Sequence, residues 1–281
     1  MHDSETIIVQ DPAFLEGLST LLPATPARVL TNYLLWRVAA QSMPYLNKEA
    51  LQVYLIYSQK LGGNSKLPPR FEKCIGELAS RSSVLGNSVG SLYVKKYFDE
   101  ESRRTAIDMV SEVKKGFLTI LDEVEWMDDI TKEKAKTKAR DMYAHIGYPS
   151  ELLDMKKLEE RYEGLEFKDN DYFGNKLKTR IFTTDKSFSK LRQEVNKTDW
   201  INHGTPAVIN AWYSFLENSI SFPAGILQGV FYSKDRPMYM NYGGIGFIIG
   251  HEITHGFDDN GRQFAEDGRL VDWWLPETEA R

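Results

Sequence analysis

The sequence predicts a mainly α-helical fold with one small β-sheet. Apolar residues recur at helical spacing through most of the first 195 residues, which is typical of amphipathic helices packed in series. Two short segments, 208–213 and 219–222, are instead rich in β-formers or alternate polar with apolar residues, which favours a β-hairpin. This change near Val195 predicts a helical domain over 1–195 and a second domain over 196–281.

The first predicted helices have recognisable starts and ends. Thr25 and Pro26 offer an N-cap and a proline at the first helical position. Asn47 can cap the next helix, and the pair Gly62 and Gly63 ends it. The apolar stripes of these two helices are predicted to pack in the core: Leu30, Leu34, Val38, Leu51, Tyr54 and Leu55.

Further helices follow. The segment 70–97 is mostly helical in pattern, and Gly86 and Gly90 indicate a break or a close contact between helices. Acidic residues from Asp99 open another helix, because negative charge is favourable at a helix N-terminus. The apolar face of that helix comprises Ile107, Val110, Val113, Phe117, Ile120 and Leu121.

A helix is also predicted over 131–145, where Gly147 and Pro149 would stop it. This segment carries a local basic run, interrupted by acids, that is interpreted as a solvated helix face: Lys132, Lys134, Lys136, Lys138 and Arg140. The formal net charge of −5 argues against a nucleic-acid partner, since affinity for phosphates rests mainly on Lys and Arg.

The second region begins with the predicted hairpin, whose turn is 214–218 and whose second strand leads into a loop at Pro223. A helix is predicted over 245–257. Its glycines Gly246 and Gly250 weaken a helix, so they predict close packing against a neighbour. Residues 258–261 form a turn.

Compartment signals are sparse. Apolar content of 42% is ordinary for a globular protein, and no stretch approaches the roughly 18 apolar residues that span a bilayer. The first residues lack the pattern of a signal peptide, so an export signal is not expected. Cys74 is the only cysteine, which fits either a reducing compartment or a piece of a disulfide-bonded protein.

The motif that carries chemistry is His-Glu-Ile-Thr-His over 251–255. Residues four apart share one face of a helix, so His251 and His255 can bind one metal ion. Zinc takes neutral imidazoles in tetrahedral geometry and lowers the pKa of a bound water to about 7. Glu252 is then placed to act as the catalytic base in peptide-bond hydrolysis. The sequence therefore predicts a zinc peptidase site.

The helix provides two ligands, whereas a catalytic zinc site has three from the protein. His145 and His203 lie in other segments and are interpreted as surface or core histidines. Four acids follow the motif, and their spacing marks none of them as a ligand, so they are interpreted as solvated: Glu266, Asp267, Glu277 and Glu279.

Several motifs together resemble the neprilysin and endothelin-converting-enzyme family of zinc metalloendopeptidases. The most specific are Asn-Ala-Trp-Tyr at 210–213, Ile-Ser-Phe-Pro-Ala-Gly-Ile-Leu-Gln at 220–228, Asn-Tyr-Gly-Gly-Ile-Gly at 241–246, the run 251–262, and Asp-Gly-Arg-Leu-Val-Asp-Trp-Trp at 267–274. Shorter matches upstream include Trp-Met-Asp at 126–128 and Ile-Gly-Tyr-Pro at 146–149. The resemblance covers the chain from about residue 28 to its end.

The resemblance implies a multi-helical domain that restricts access to a thermolysin-like zincin catalytic domain, of which 196–281 would be the N-terminal part. It implies that His251 and His255 bind one Zn²⁺, that Glu252 is the base, and that Asn210 and Ala211 bind the substrate backbone. Asp258 either orients a ligand histidine or caps the turn. Members of this family cleave oligopeptides on the amino side of hydrophobic residues, and most are cell-surface ectodomains behind one N-terminal membrane anchor.

The sequence departs from the family pattern in several places. Trp212 stands where tyrosine is usual. The family's third zinc ligand, a glutamate in a Glu-Asn-Ile-Ala-Asp-type motif, does not occur here, nor do the distal histidine and arginine that serve the transition state and the substrate. Cys74 matches a family cysteine whose disulfide partner would precede residue 1.

These departures predict a fragment with impaired peptidase activity, whose membrane anchor lies outside this sequence. Two alternatives stay open. One is a non-catalytic peptide-binding or interaction protein that retains the fold, and the other is an unstable fragment without a role of its own.

Overall fold

The computed structural model describes residues 9, 11–63, 66–194 and 196–281. They divide into two compact units. The first comprises Met1–Pro68 and Phe167–Leu177, and the second comprises Pro69–Glu166 and Lys178–Arg281. The fold is mainly helical with one small sheet, as predicted. The division into helical and catalytic domains near residue 195 stays a prediction.

The first unit contains α1 (Pro12–Ala24), α2 (Ala27–Ser42), a single 3₁₀ turn (Met43–Tyr45) and α3 (Lys48–Gly62). The sequence pattern did not predict α1, whose N-cap Asp11 accepts a hydrogen bond from the amide of Phe14. Asn47 caps α3 as predicted, and Gly63 ends it in the left-handed conformation at φ 72°. Local capping chemistry therefore sets these boundaries.

The prediction that the apolar stripe of α2 packs in the core is wrong for this unit. Leu34 is 62% exposed and Val38 is 65% exposed. An amphipathic pattern reports which face of a helix prefers burial, but the partner that covers this face must come from elsewhere. Helical spacing alone therefore could not show whether another described element covers the apolar face of α2.

The remaining elements have clear bounds. The helices are α4 (Arg70–Ala79), α5 (Gly86–Tyr97), α6 (Glu100–Glu123), α7 (Asp129–Asp141), α8 (Met155–Arg161), α9 (Tyr172–Ser189), α10 (Trp200–His203), α11 (Met238–Asn241), α12 (Phe247–His255) and α13 (Pro276–Glu279). The strands are β1 (Tyr143–Gly147), β2 (Trp212–Ser214) and β3 (Ser219–Pro223). Short 3₁₀ turns lie at Ser150–Leu153 and Gly261–Gln263.

The break predicted inside 70–97 is confirmed, and it coincides with a close backbone contact. A methyl group on Gly86 would lie 2.7 Å from Cγ2 of Thr205. On Gly90 it would meet the ring of Pro206 and lie 2.8 Å from the carbonyl oxygen of Gly204. The start of α5 therefore packs directly on the segment 204–206, which leads into β2.

The sheet has the order β1-β3-β2, so β3 is its central strand. β2 and β3 form the predicted antiparallel hairpin, with Trp212 opposite Ser221. β1 pairs parallel with β3, from Tyr143 opposite Ser219 to Gly147 opposite Pro223. The prediction of a helix up to residue 145 is wrong at its end, because α7 stops at Asp141 and the following residues join this sheet.

The main core surrounds the buried strand β3. Ile220 and Phe222 of this strand belong to one buried cluster with Met109 of α6 and with Ile249 and Ile253 of α12. The sheet and α6 therefore support the buried side of α12 and leave its other side available. Across 9, 11–63, 66–194 and 196–281, none of the helices combines the length and the apolar character of a membrane span.

Candidate active site

The helix predicted over 245–257 is confirmed for α12, and its approach is irregular. α11 continues through a π-helical turn (Tyr242–Gly246) into α12. The close packing predicted at Gly250 is wrong, since a methyl group there would have no neighbour within 4 Å among the described residues. The tight position is Gly244, where a methyl group would lie 2.6 Å from the carbonyl oxygen of Phe231.

The two histidines of α12 converge. Nε2 of His255 lies 3.0 Å from Nε2 of His251. His251 is exposed, and the side chain of His255 is 39% exposed. One helical turn therefore places two imidazole nitrogens together at the surface of the site, as the spacing predicted.

Asp258 fixes the orientation of His255. Its Oδ2 lies 2.7 Å from Nδ1 of His255. Its Oδ1 accepts amide hydrogen bonds from Asn260 at 3.0 Å and from Gly261 at 2.7 Å. Desolvation raises the pKa of Asp258, but these hydrogen bonds outweigh it and lower the pKa overall. The carboxylate of Asp258 thus contacts both the turn and the imidazole of His255, while its role beside a metal ligand stays a prediction.

Glu252 lies on the inner side of the same helix, where it is 5% exposed. Burial raises the pKa of its carboxyl group, while the two neighbouring histidines and a backbone hydrogen bond from Tyr213 oppose the shift. Tyr213 belongs to β2. Glu252 therefore sits between α12 and the edge of the sheet.

Lys138 is a site-supporting residue that the sequence analysis missed. It was interpreted as part of a solvated basic face, but it is 1% exposed. Its Nζ donates to the carbonyl oxygens of Gly256 at 2.7 Å, Gly261 at 2.7 Å and Phe264 at 2.6 Å. An ammonium group has three protons, so all of them are used. Burial lowers the pKa of Lys138 to about 8, and the carboxylates of Asp258 and Glu266 oppose that shift.

The position of Lys138 in the sequence already indicated that it could be buried. Lys138 shares a helix face with Ala135 and Ala139, and all three are buried. A lysine on the small, apolar stripe of a helix differs from basic residues on its polar face, such as the exposed Arg140. Lys138 thus ties α7 to the turn that carries Asp258.

Asn210 and Ala211 immediately precede β2. Asn210 is exposed, whereas Ala211 is buried. In the described sheet β2 pairs with β3 alone, so no other strand covers its outer edge. Trp212 packs beneath the guanidinium group of Arg81, whose Cζ lies 4.1 Å from the ring centre.

The other predicted positions behave differently. The four acids interpreted as solvated are all exposed: Glu266, Asp267, Glu277 and Glu279. Among them, Asp267 pairs with Arg269 and Glu279 with Arg262. His145 and His203, which were interpreted separately, lie together with their ring centres 3.3 Å apart.

Comparison with known proteins identifies the family. Two family models, both described as peptidase family M13, match residues 1–149 and residues 210–281. The first match alone covers more than half of the chain. The chain belongs to peptidase family M13. The resemblance read from the motifs around His251 is therefore confirmed.

Curated relatives match nearly the whole M13 chain. Neprilysin-2 of Drosophila melanogaster is 49% identical over 286 residues, which cover 99% of this chain and 37% of that protein. Human neprilysin is 37% identical, covering 98% of this chain and 36% of that protein. The chain thus spans just over a third of the length of these relatives.

Solved structures agree with the fold. The Mycobacterium tuberculosis zinc metalloprotease solved in complex with an inhibitor gives a TM-score of 0.78 at 28% identity, covering 95% of this chain and 38% of that chain. PepO from Lactobacillus rhamnosis gives a TM-score of 0.74 at 30% identity, covering 86% of this chain and 37% of that chain.

Proposed function

We propose that the protein acts as a zinc-dependent metalloendopeptidase. In this proposal His251 and His255 bind the zinc ion, Glu252 is the catalytic base, and Asp258 orients His255. The observation that carries it is the approach of the two Nε2 atoms to 3.0 Å, with Asp258 behind one ring. Membership of peptidase family M13 gives independent support.

The donor set fits zinc. Two nitrogens bound at 2.0–2.1 Å in tetrahedral geometry are separated by about 3.3 Å, close to the 3.0 Å between Nε2 of His251 and Nε2 of His255. A carboxylate accepts hydrogen bonds, so the proton of His255 belongs on Nδ1, facing Asp258. The lone pair of Nε2 is then directed to the metal position.

The chemistry divides between the metal and the protein. Zinc held by His251 and His255 would polarise the scissile carbonyl and lower the pKa of an attacking water to about 7. Glu252 would take a proton from the attacking water and return it to the leaving amine. Burial favours this role, because the raised pKa of Glu252 makes its carboxylate a stronger base.

Substrate binding is assigned to the open edge of β2. An extended peptide can pair with an edge strand through main-chain hydrogen bonds. The exposed amide of Asn210 and the backbone at Ala211 lie at the start of this edge. Tyr213, two residues beyond Ala211, gives the backbone hydrogen bond to Glu252, so the peptide would lie near the base.

Substrate preference and location belong to the whole protein and are part of the proposal. By resemblance, the substrates are oligopeptides with a hydrophobic residue on the C-terminal side of the cleaved bond. By the same resemblance, the location is the cell surface or the extracellular space. Since α12 provides two of three zinc ligands, the 281-residue chain alone should turn over peptides far more slowly than full-length relatives.

A fluorogenic peptide with a hydrophobic residue after the scissile bond provides the test. Turnover that a chelator abolishes, and that zinc restores, supports the proposal. Peptide binding without any turnover, in the 281-residue chain and also in a longer version with a third ligand, would favour the non-catalytic alternative.

A further inference from the structure

Away from the histidines of α12, three other potential metal ligands lie close together at the sheet. His145 lies in β1, His203 ends α10, and Glu217 lies in the turn between β2 and β3. One ligand atom from each residue lies within 4.8 Å of the other two. The three side chains come from distant parts of the chain, so the fold itself brings them together.

Each imidazole has a buried nitrogen without a well-formed hydrogen bond to the described residues. Nε2 of His145 and Nε2 of His203 are buried and make no well-formed hydrogen bond within the described chain. Nε2 of His203 lies 3.5 Å from Oε2 of Glu217, at the outer limit for such a bond. Buried polar atoms are nearly always satisfied in native proteins, so two adjacent exceptions point to a missing partner.

We propose that His145, His203 and Glu217 form a second zinc site, separate from the pair on α12. Two imidazoles and one carboxylate are a donor set typical of protein zinc. A fourth position would remain for water or for another ligand. This inference does not depend on the peptidase function proposed for His251 and His255.

The arrangement needs one side-chain adjustment to bind an ion. The two imidazole rings are stacked, with an angle of 10° between their planes, and lone pairs lie in those planes. Rotation of one ring about its Cβ–Cγ bond lets both nitrogens face one ion, and this torsion is broad for histidine. A cavity of about 290 Å³, lined by His145, His203 and Ser221, gives space for the rotation.

The carboxylate is already held in place. Oγ of Ser219 donates to Oε2 of Glu217 at 3.0 Å. A second cavity of about 430 Å³ is lined by His203, Glu217 and Asn87, and provides a route for an ion. Oγ of Ser221 lies 3.5 Å from Nδ1 of His203, so the opposite nitrogen of that ring remains available.

The alternative is a metal-free stack of two neutral rings. Burial and the neighbouring His203 lower the pKa of His145 to about 4, which suits a neutral ring whether or not zinc is present. Metal binding has to be measured to separate the two.

The experiment removes the α12 pair first. In a His251→Ala, His255→Ala background, we expect one equivalent of zinc to bind, measured by titration calorimetry and competition with a chromophoric chelator. Adding His203→Phe or Glu217→Gln should weaken that binding by roughly 100-fold or more. Phenylalanine retains the ring stack, and glutamine retains the shape of the side chain, so folding should be preserved.

Two controls make the result decisive. His2→Phe, which removes the one histidine outside the two proposed sites, should leave zinc binding unchanged. Zinc should raise the thermal midpoint of the background protein but not that of its His203→Phe derivative. No zinc binding in the background, or binding that survives both His203→Phe and Glu217→Gln, would overturn the proposal.

Discussion

Nδ1 of His255 lies 2.7 Å from Oδ2 of Asp258, and the other oxygen of that carboxylate is held by backbone amides. The imidazole is thereby oriented before any metal binds. Asp258→Asn should retain the oxygen that accepts from the backbone but place an NH₂ group against Nδ1. The proton of His255 then moves to Nε2, so zinc affinity should fall by about 10- to 100-fold.

Zinc titration of Asp258→Asn checks this prediction, with Asp259→Asn as the matched control on the adjacent exposed acid. The thermal midpoint of the metal-free protein should change little in either variant. Equal zinc affinity in the two variants would remove Asp258 from the metal site.

Glu252→Gln tests the proposed base. The amide has the shape of the carboxylate but cannot take a proton, so kcat/KM for a fluorogenic peptide should fall by roughly 10²- to 10⁴-fold. Zinc content should stay near that of the parent protein, whereas replacing His251 or His255 should reduce both zinc content and turnover. A Glu252→Gln protein that lost zinc in parallel with activity would contradict this assignment.

Lys138→Met tests the link between α7 and the turn at Asp258. Methionine fills similar space but leaves three carbonyl oxygens without their donor. We expect the free energy of unfolding to fall by about 3 kcal/mol or more. Arg140→Met, on the exposed face of the same helix, should change it by less than about 0.5 kcal/mol. Chemical denaturation of both proteins measures the difference, and similar values would refute the role of Lys138.

Gly90→Ala should destabilise the protein by about 1–3 kcal/mol, because the new methyl group collides with Pro206 and the carbonyl of Gly204. Gly116→Ala is the opposite case. It lies in α6 with open space around it, so the variant should gain about 0.5–1 kcal/mol from helix propensity. Urea unfolding curves give both values, and a Gly90→Ala protein as stable as the parent would show that the contact at α5 is unimportant.

Acid sensitivity should depend on Asp128, the N-cap of α7. Desolvation raises the pKa of this carboxyl group, but hydrogen bonds from Thr131 and Thr278 outweigh it and hold the pKa at about 2, below its ordinary 3.8. The folded state therefore binds this proton less readily than the unfolded state. The resulting stability is present above about pH 4 and is lost as the pH falls towards 2.

Asp128→Asn should remove this component, so its thermal midpoint should decline less steeply than that of the parent between pH 4 and pH 2. Asp129→Asn, at the first residue of α7, is the control and should follow the parent. Parallel slopes for Asp128→Asn and the parent would disprove the contribution.

Local patterns predicted the parts of the molecule whose determinants lie close together in sequence. The pairing of His251 with His255 follows from helical spacing, and Asn47 caps α3 through its own neighbours. The hairpin could also be predicted from the sequence, because its turn and both strands lie within 212–223. The same spacing could not supply the environment of Glu252, which depends on a strand 39 positions earlier.

Long-range pairing explains what was missed. Residues 143–145 continue a helical pattern, yet Tyr143 pairs with Ser219 and gains strand hydrogen bonds from a segment distant in sequence. Lys138 was assigned to solvent because its partners, Gly256 and Gly261, become neighbours only in the folded chain. The meeting of His145 with His203 has the same origin, since it requires β1 to join the sheet.

The parallel pairing of β1 with β3 joins the two segments of the chain that match separate family models. β1 lies within the segment 1–149 that matches one family model, whereas β3 lies within 210–281, which matches the other. The first segment holds one strand of the sheet and the second holds the other two, so each lacks strands that the other provides. Neither segment is therefore an autonomous folding unit, because the central strand β3 has β1 of the other segment as its neighbour on one side.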